Sequence, residues 1–373
     1  MERFGFVGLP NAGKSSLFNA LAGGGALAAP YAFATTDPNV GVASVPDRRL
    51  DALAELSASA RVVYSATQFV DIGGLVEGAS RGEGLGNKFL GGIREVDAVV
   101  FVLRAFADEE VPGPADPLEH LRVVELELAL ADLETVEGRI DRRRKAARSQ
   151  PGDVALGAEV AALEDALASL SDGTPLYRAW RHGPDADAAD AARSEALREH
   201  FLLTDKPVMA VLNLGEGQLD EAEQLAAAVS AEFAARADTG IEILPLCVQL
   251  EAEAAQLEGA DRTEMLEGLG LGEGALARFV SSAHGLLGLR TFLTTGPKES
   301  RAWTFRHGWH APQCAGRIHT DFERGFIRAE VVGWEELVEL GSWSAARDAG
   351  RLRLEGKDYE MRDGDVVEFR FSV

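Results

Sequence analysis

Eight residues near the N-terminus, Gly8-Leu9-Pro10-Asn11-Ala12-Gly13-Lys14-Ser15, meet the pattern G-x-x-x-x-G-K-[ST] at every constrained position. The flanks suit it: Arg3–Gly8 reads as a short apolar strand, and Ser16–Leu21 opens a helix. A loop between such elements turns its backbone N–H groups inward, and the helix N-terminus adds partial positive charge, which together make a cradle for phosphate. Asn11, Ala12, Gly13, Lys14, Ser15 and Ser16 form the expected cradle. In it the Lys14 ammonium would reach the β- and γ-phosphates and the Ser15 hydroxyl would ligate Mg²⁺.

At 373 residues the chain has room for two or three domains, and 46% hydrophobic residues are ample for packed cores. No apolar run is long enough to span a bilayer, and no basic-then-apolar export signal precedes the first strand. Two cysteines, Cys247 and Cys314, cannot staple a secreted framework, so the composition points to the cytoplasm and away from membranes. Cys247 ends an apolar strand and reads as a packing residue. The formal charge of −23 is unevenly spread: from Arg290 onward 13 Lys/Arg stand against 14 Asp/Glu. The acidic body should repel nucleic acid, whereas the near-neutral tail can touch RNA locally.

Continuous apolar runs at Gln68–Asp71, Ala98–Leu103, Pro207–Leu212 and Ile241–Leu246 predict buried parallel strands alternating with helices. The predicted fold class is α/β: a P-loop NTPase doubly wound, mostly parallel sheet, with an inserted antiparallel helical hairpin and a small C-terminal α+β domain. Residues 1–115 and 204–288 are expected to form the nucleotide-binding domain, 116–203 the insertion and 289–373 the tail domain. In the insertion, Leu126, Leu130, Leu133, Val136 and Ile140 predict one apolar stripe, and Leu156, Val160, Leu163, Leu167 and Leu170 a second. The turn Ser149–Asp153 joins them, as in a short coiled coil. Near it, Arg142-Arg143-Arg144-Lys145 and Arg148 are either a solvated helix end, favoured by the dipole, or a basic finger for an acidic partner such as RNA. Strands at Arg301–Phe305, Phe326–Val332 and Val366–Phe371 suggest a binding module, and the spacing of His307, His310 and His319 argues against zinc.

A phosphate loop alone does not separate GTPases, ATPases and small kinases. Asp71-Ile72-Gly73-Gly74 supplies D-x-x-G, with Asp71 placed to hold Mg²⁺ and the Gly74 N–H to sense a γ-phosphate. Thr35, in the loop Phe33–Asn39, is the expected second metal ligand, an ordinary capping threonine being the alternative. Gly73–Gly92, dense in glycine, reads as a loop that orders around the γ-phosphate. The base reader departs from N-K-x-D: Asn213-Leu214-Gly215-Glu216 has no lysine to stack and a longer carboxylate in place of Asp. Asn213 can still pair with a purine N7 and an exocyclic N6 amine, which leans towards adenine. Leu75 stands where many GTPases place a water-orienting Gln, and leucine offers no hydrogen bond, so unassisted hydrolysis should be slow.

Together these motifs resemble the YchF-type Obg-like ATPases of the translation-factor GTPase superfamily. The likeness is carried by Gly8–Ser15, Asp71–Ser80, Gly82–Leu90, Glu127–Leu133, Asn213–Glu216 and Gly316–Ala329. It implies a TGS-type C-terminal domain, ATP preferred over GTP, and a ribosome-associated role in translation. Family members usually carry a longer, histidine-bearing loop after the strand matched by Ala98–Leu103; here Asp108–Pro117 is short and lacks His, and His120 begins a helix. Asn11 is a candidate for holding K⁺ beside the phosphates. Two readings stay open beside a slow ATPase: a nucleotide-gated ribosome- or RNA-binding protein in which hydrolysis is incidental, and a GTP-preferring Obg-like GTPase.

Overall fold

The computed structural model describes residues 1–22, 39–73, 85–108, 111–113, 115–234, 241–257, 259–269, 271 and 274–372. Its strands are β1 Arg3–Val7, β2 Val40–Ser44, β3 Val62–Val63, β4 Ala66–Asp71, β5 Ala98–Arg104, β6 Val208–Asn213, β7 Ile243–Leu246, β8 Leu289–Thr294, β9 Ser300–Arg306, β10 Phe326–Gly333, β11 Arg353–Glu355 and β12 Asp365–Phe371. Contacts divide the chain into two units, one of residues 1–43 and 68–279 and the other of residues 44–67 and 280–373.

The first unit is built on a sheet of order β2-β4-β1-β5-β6-β7, in which β1, β4, β5, β6 and β7 pair in parallel. Every residue of β5 and β6 is buried, as expected for parallel strands covered on both faces. On one face Phe4, Phe6, Phe69 and Phe279 cluster, with Phe6 and Phe69 stacked at 5.5 Å. On the other, Val99, Phe101 and Leu103 pack against helical residues that include Ile93, Val124 and Leu128. From β1 the chain runs to β2 on one side of it, and from β4 it crosses to β5 on the other, so the carboxyl ends of these strands bound the crevice where ligands bind in such sheets.

Two sequence expectations change here. The helix Leu85–Arg94 occupies the later half of the segment expected to be a glycine-rich loop. Burial of Phe89, Leu90 and Ile93 in the core outweighs the helix penalty of its glycines. The stripe expected on the long helix Pro117–Ser149 is also misassigned, because Leu126 and Leu130 are 54% and 43% exposed. That helix serves two cores. Leu121, Val124 and Leu128 pack toward the sheet, while Ala129, Val136 and Ile140 pack with Leu163, Ala166 and Leu170 of the helix Val154–Ser171. The two helices form the expected hairpin, and Asp153 caps the second by accepting from the Leu156 N–H at 3.0 Å.

Buried polar groups fasten the hairpin to its own unit. Asp132 accepts from the N–H groups of Leu203 and Thr204 and the Thr204 hydroxyl at 2.7–2.8 Å. Burial pushes its carboxyl up to about 6 despite those bonds. Glu125 receives a bidentate Arg178 at 2.7 and 2.9 Å and the Tyr177 hydroxyl at 2.6 Å. The Arg178 guanidinium also lies 3.6 Å from the Phe233 ring centroid.

The second unit carries a mixed sheet of order β11-β10-β12-β8-β9-β3. β10 runs antiparallel to β11 and β12, and β8 antiparallel to β9, whereas β12–β8 and β3–β9 are parallel. The segment 44–67, placed by sequence in the nucleotide-binding part, lies in this unit: β3 pairs β9, and Leu50 and Leu53 share a core with Leu293, Val332, Leu337 and Ala346. No local pattern announces such a distant partnership. Among the described residues no helix is long and apolar enough to cross a membrane.

Candidate functional site

β1 ends at Val7, and the chain turns through the glycine-rich loop into the helix Lys14–Ala22. Asn11 takes φ 62° and Gly13 φ 100°, which folds the loop tightly enough for the Ala12 N–H to bond Leu9 C=O. Register then brings the second motif alongside: Phe6 pairs with Asp71 at the end of β4, and the Ser15 hydroxyl donates to Asp71 Oδ2 at 2.6 Å. Asp71 Oδ1 accepts from the Gly73 N–H at 3.2 Å. Lys14 is buried, and its ammonium donates to Leu9 C=O at 2.7 Å. Burial lowers the Lys14 pKa, and the nearby Asp71 charge opposes that shift.

Beside the loop lies a cavity of about 590 Å³, whose walls include Lys14, Ser15, Phe106, Asn213, Leu214 and Val248. Asn11, Gly13 and Ser16 reach it too, while Ala12 is wholly buried behind. Another cleft, of about 800 Å³ and lined by Arg290, His307 and Glu355 among others, lies in the second unit. Phosphate chemistry favours the smaller cavity, because an inward-turned glycine loop, a lysine and a hydroxyl–carboxylate pair meet there.

Of the expected base-reading residues, Asn213 and Leu214 line the cavity and Glu216 does not. Asn213 is 4% exposed, its amide N–H donates to Ala12 C=O at 3.0 Å, and its Oδ1 accepts from the Val248 N–H at 3.1 Å. One N–H and one Oδ1 lone pair are thereby engaged, and the second N–H and second lone pair remain for a purine. Glu216 is exposed at the start of the 3₁₀ turn Glu216–Glu221 and does not line the cavity. Thr35, Gly74 and Leu75 lie outside the described residues. His120 is buried in the first turn of the helix Pro117–Ser149.

The sequence did not single out Phe106 and Val111 of the loop after β5, or Val248 and Gln249 of the helix Val248–Ala254, as cavity walls. The one signal was Arg104, a charge closing an otherwise apolar strand. Cys247 is buried, which raises its thiol pKa. At the hairpin, Arg143 pairs with Glu159 and Arg144 with Glu164, while Arg142, Lys145 and Arg148 are exposed.

Among the described residues no cluster of three His, Cys, Asp or Glu side chains is assembled for a metal ion. The Ser15–Asp71 pair does present two hard oxygen donors beside the cavity, a set that suits Mg²⁺ when phosphate supplies further oxygens.

Comparison with known proteins identifies the parts. Residues 3–132 match a family model described as a 50S ribosome-binding GTPase, and residues 289–372 match the C-terminal model of YchF GTPases, described as a protein of unknown function. A Bacillus subtilis protein named ribosome-binding ATPase YchF is 44% identical over 373 residues, covering 99% of both chains. A Haemophilus influenzae protein of the same name is 43% identical over 372 residues with equal coverage. The solved structure of the Schizosaccharomyces pombe YchF GTPase superposes with a TM-score of 0.85 at 31% identity, covering 99% of this chain and 97% of that one.

Proposed function

This chain belongs to the YchF family, and from that premise we propose that it is a slow, Mg²⁺-dependent ATPase acting as a ribosome-associated switch in translation. The observation that carries the reading is the meeting of the glycine loop, Lys14 and Ser15 at one cavity, with Asp71 hydrogen-bonded to Ser15. The relatives named ribosome-binding ATPase support the ribosome as partner and ATP as substrate. Exposure of Glu216, which stands in place of the guanine-reading Asp, supports the choice of ATP over GTP.

In this reading the loop N–H groups from Asn11 to Ser16 wrap the phosphates, and Lys14 moves from Leu9 C=O onto the β/γ oxygens. Ser15, Asp71 and Thr35 would hold Mg²⁺, which would supply positive charge against the phosphate oxygens. Gly74 senses the γ-phosphate, Asn213 and Leu214 face the base, and Asn11 is placed to help hold K⁺. Leu75 cannot orient water, so turnover rests on electrostatics until a partner completes the site.

We assign residues 116–203 as a helical module and 289–373 as a TGS-type module, with Arg142, Lys145 and Arg148 the cations that could meet RNA; the cytoplasm follows from a ribosomal partner. The test is steady-state turnover of ATP and GTP with and without purified ribosomes. Faster ATP turnover on ribosomes is expected. Tighter binding of GTP than ATP, or no response to ribosomes, would refute the reading.

A further inference from the structure

We propose that Arg104 and Gln218 are positioning residues that set the base-facing walls of the nucleotide cavity and thereby its discrimination among bases; this rests on the cavity being the ATP site. Arg104 closes β5 and lies directly beside Asn213, its register partner on β6. It is 2% exposed, so its guanidinium has lost most of its hydration and must recover those bonds inside the protein. It does so on one short stretch of chain. Nε donates to Phe106 C=O at 3.0 Å, Nη1 to Pro112 C=O at 3.1 Å and Nη2 to Val111 C=O at 3.1 Å. The guanidinium also sits 4.7 Å from the Phe106 ring centroid. A rigid planar fork reaching three carbonyls fixes Phe106, Val111 and Pro112 in a way a single flexible ammonium does not.

Gln218 ties this loop to the base-reading run. Its Nε2 donates to Ala105 C=O at 3.2 Å, and its Oε1 accepts from the Gly215 N–H at 2.8 Å. A backbone bond from the Ala105 N–H to Asn213 C=O at 2.9 Å completes the link. The two runs also press together, since a Cβ on Gly215 would come within 3.3 Å of Phe106 Cβ. Phe106 and Val111 from one run, and Asn213, Leu214 and Gly215 from the other, line the same cavity. Neither Arg104 nor Gln218 lines it, so both act through the walls they hold.

The prediction is a loss that depends on the base. Binding of ATP, GTP and UTP is measured by calorimetry for the wild-type protein and for Gln218→Leu, Gln218→Glu and Arg104→Lys, with thermal unfolding run alongside. Gln218→Leu keeps the side chain's bulk and deletes both bonds, so ATP affinity should fall about tenfold while UTP, held mainly by its phosphates, changes less than about twofold. Gln218→Glu keeps the acceptor for Gly215 but faces Ala105 C=O with a carboxylate, and should lose at least as much. Arg104→Lys cannot reach three carbonyls and should narrow the ATP:UTP ratio in the same way. Equal weakening of all three nucleotides, or unchanged ATP affinity in Gln218→Leu and Arg104→Lys, overturns the inference. Failure of the wild type to bind ATP would instead remove the reading beneath it.

Discussion

Gly13 is the position where the loop's geometry can be tested most sharply. It takes φ 100°, and an ideal Cβ there would lie 2.3 Å from the Asn213 amide nitrogen. Gly13→Ala therefore costs twice. A non-glycine residue held at that φ costs about 1–3 kcal/mol. The Asn213 amide must also retreat from Ala12 C=O and the Val248 N–H, and each buried group left unpaired costs about 1–3 kcal/mol. With partial relaxation, a loss of about 2–4 kcal/mol in stability and at least a hundredfold in ATP affinity is expected. The assay is a double-mutant cycle of Gly13→Ala, Asn213→Ala and the pair, read by urea unfolding and by ATP titration. Asn213→Ala removes the clash, so adding Gly13→Ala to it should cost only the φ strain, giving a compensating coupling of about 1–3 kcal/mol. Strict additivity would refute the claim that the two residues collide. Wild-type ATP affinity in Gly13→Ala would refute the role of the loop itself.

Other expectations follow from the same structure. Asp132, pushed up to about 6 when folded against an ordinary value near 3.9, favours folding most below pH 4, and that advantage is lost as pH rises through 6. Relative to Asp132→Asn, the wild type should therefore lose up to about 3 kcal/mol between pH 4 and pH 7 in urea unfolding, and a pH-independent difference would contradict this. Glu125→Leu leaves Arg178 buried without its partner and should destabilise by about 3–5 kcal/mol, whereas Glu125→Leu with Arg178→Met should recover most of that; equal losses in the two would show that no coupling exists. Asp71→Asn should raise the Mg²⁺ concentration for half-maximal ATP turnover by about tenfold or more, with the melting temperature of the metal-free protein nearly unchanged. An unaltered metal requirement would take Asp71 out of the site.

What could be read in the sequence divides along a physical line. The cradle was legible because its demands are local: glycine for a positive φ, lysine for charge, a hydroxyl for metal. Asp71 was legible because β1 and β4 must end together for the motifs to meet. The helix Pro117–Ser149 misled because it buries one face against the sheet and another against its hairpin partner, and at Ala129 a small side chain does the packing while Leu126 and Leu130 stay outside. What the sequence did not show is that the Asn213 amide also bonds Ala12 C=O and the Val248 N–H, residues far apart in the chain. Glycines around Gly91 and Gly92 suggested a loop, and only the burial of Phe89, Leu90 and Ile93 reveals the helix.

The segment 44–67 has a consequence for how the protein is made. Leu50 and Leu53 complete a core with Leu293, Val332, Leu337 and Ala346, and β3 finds its partner in β9, more than 230 residues later. During synthesis this early piece emerges long before the strands that receive it, and its leucines stay exposed for most of translation. The chain enters this piece from the first unit and returns to it afterwards. Termination before residue 289 would leave that piece permanently without a core, so an early stop should yield a sticky, rapidly degraded product and not a working nucleotide-binding fragment.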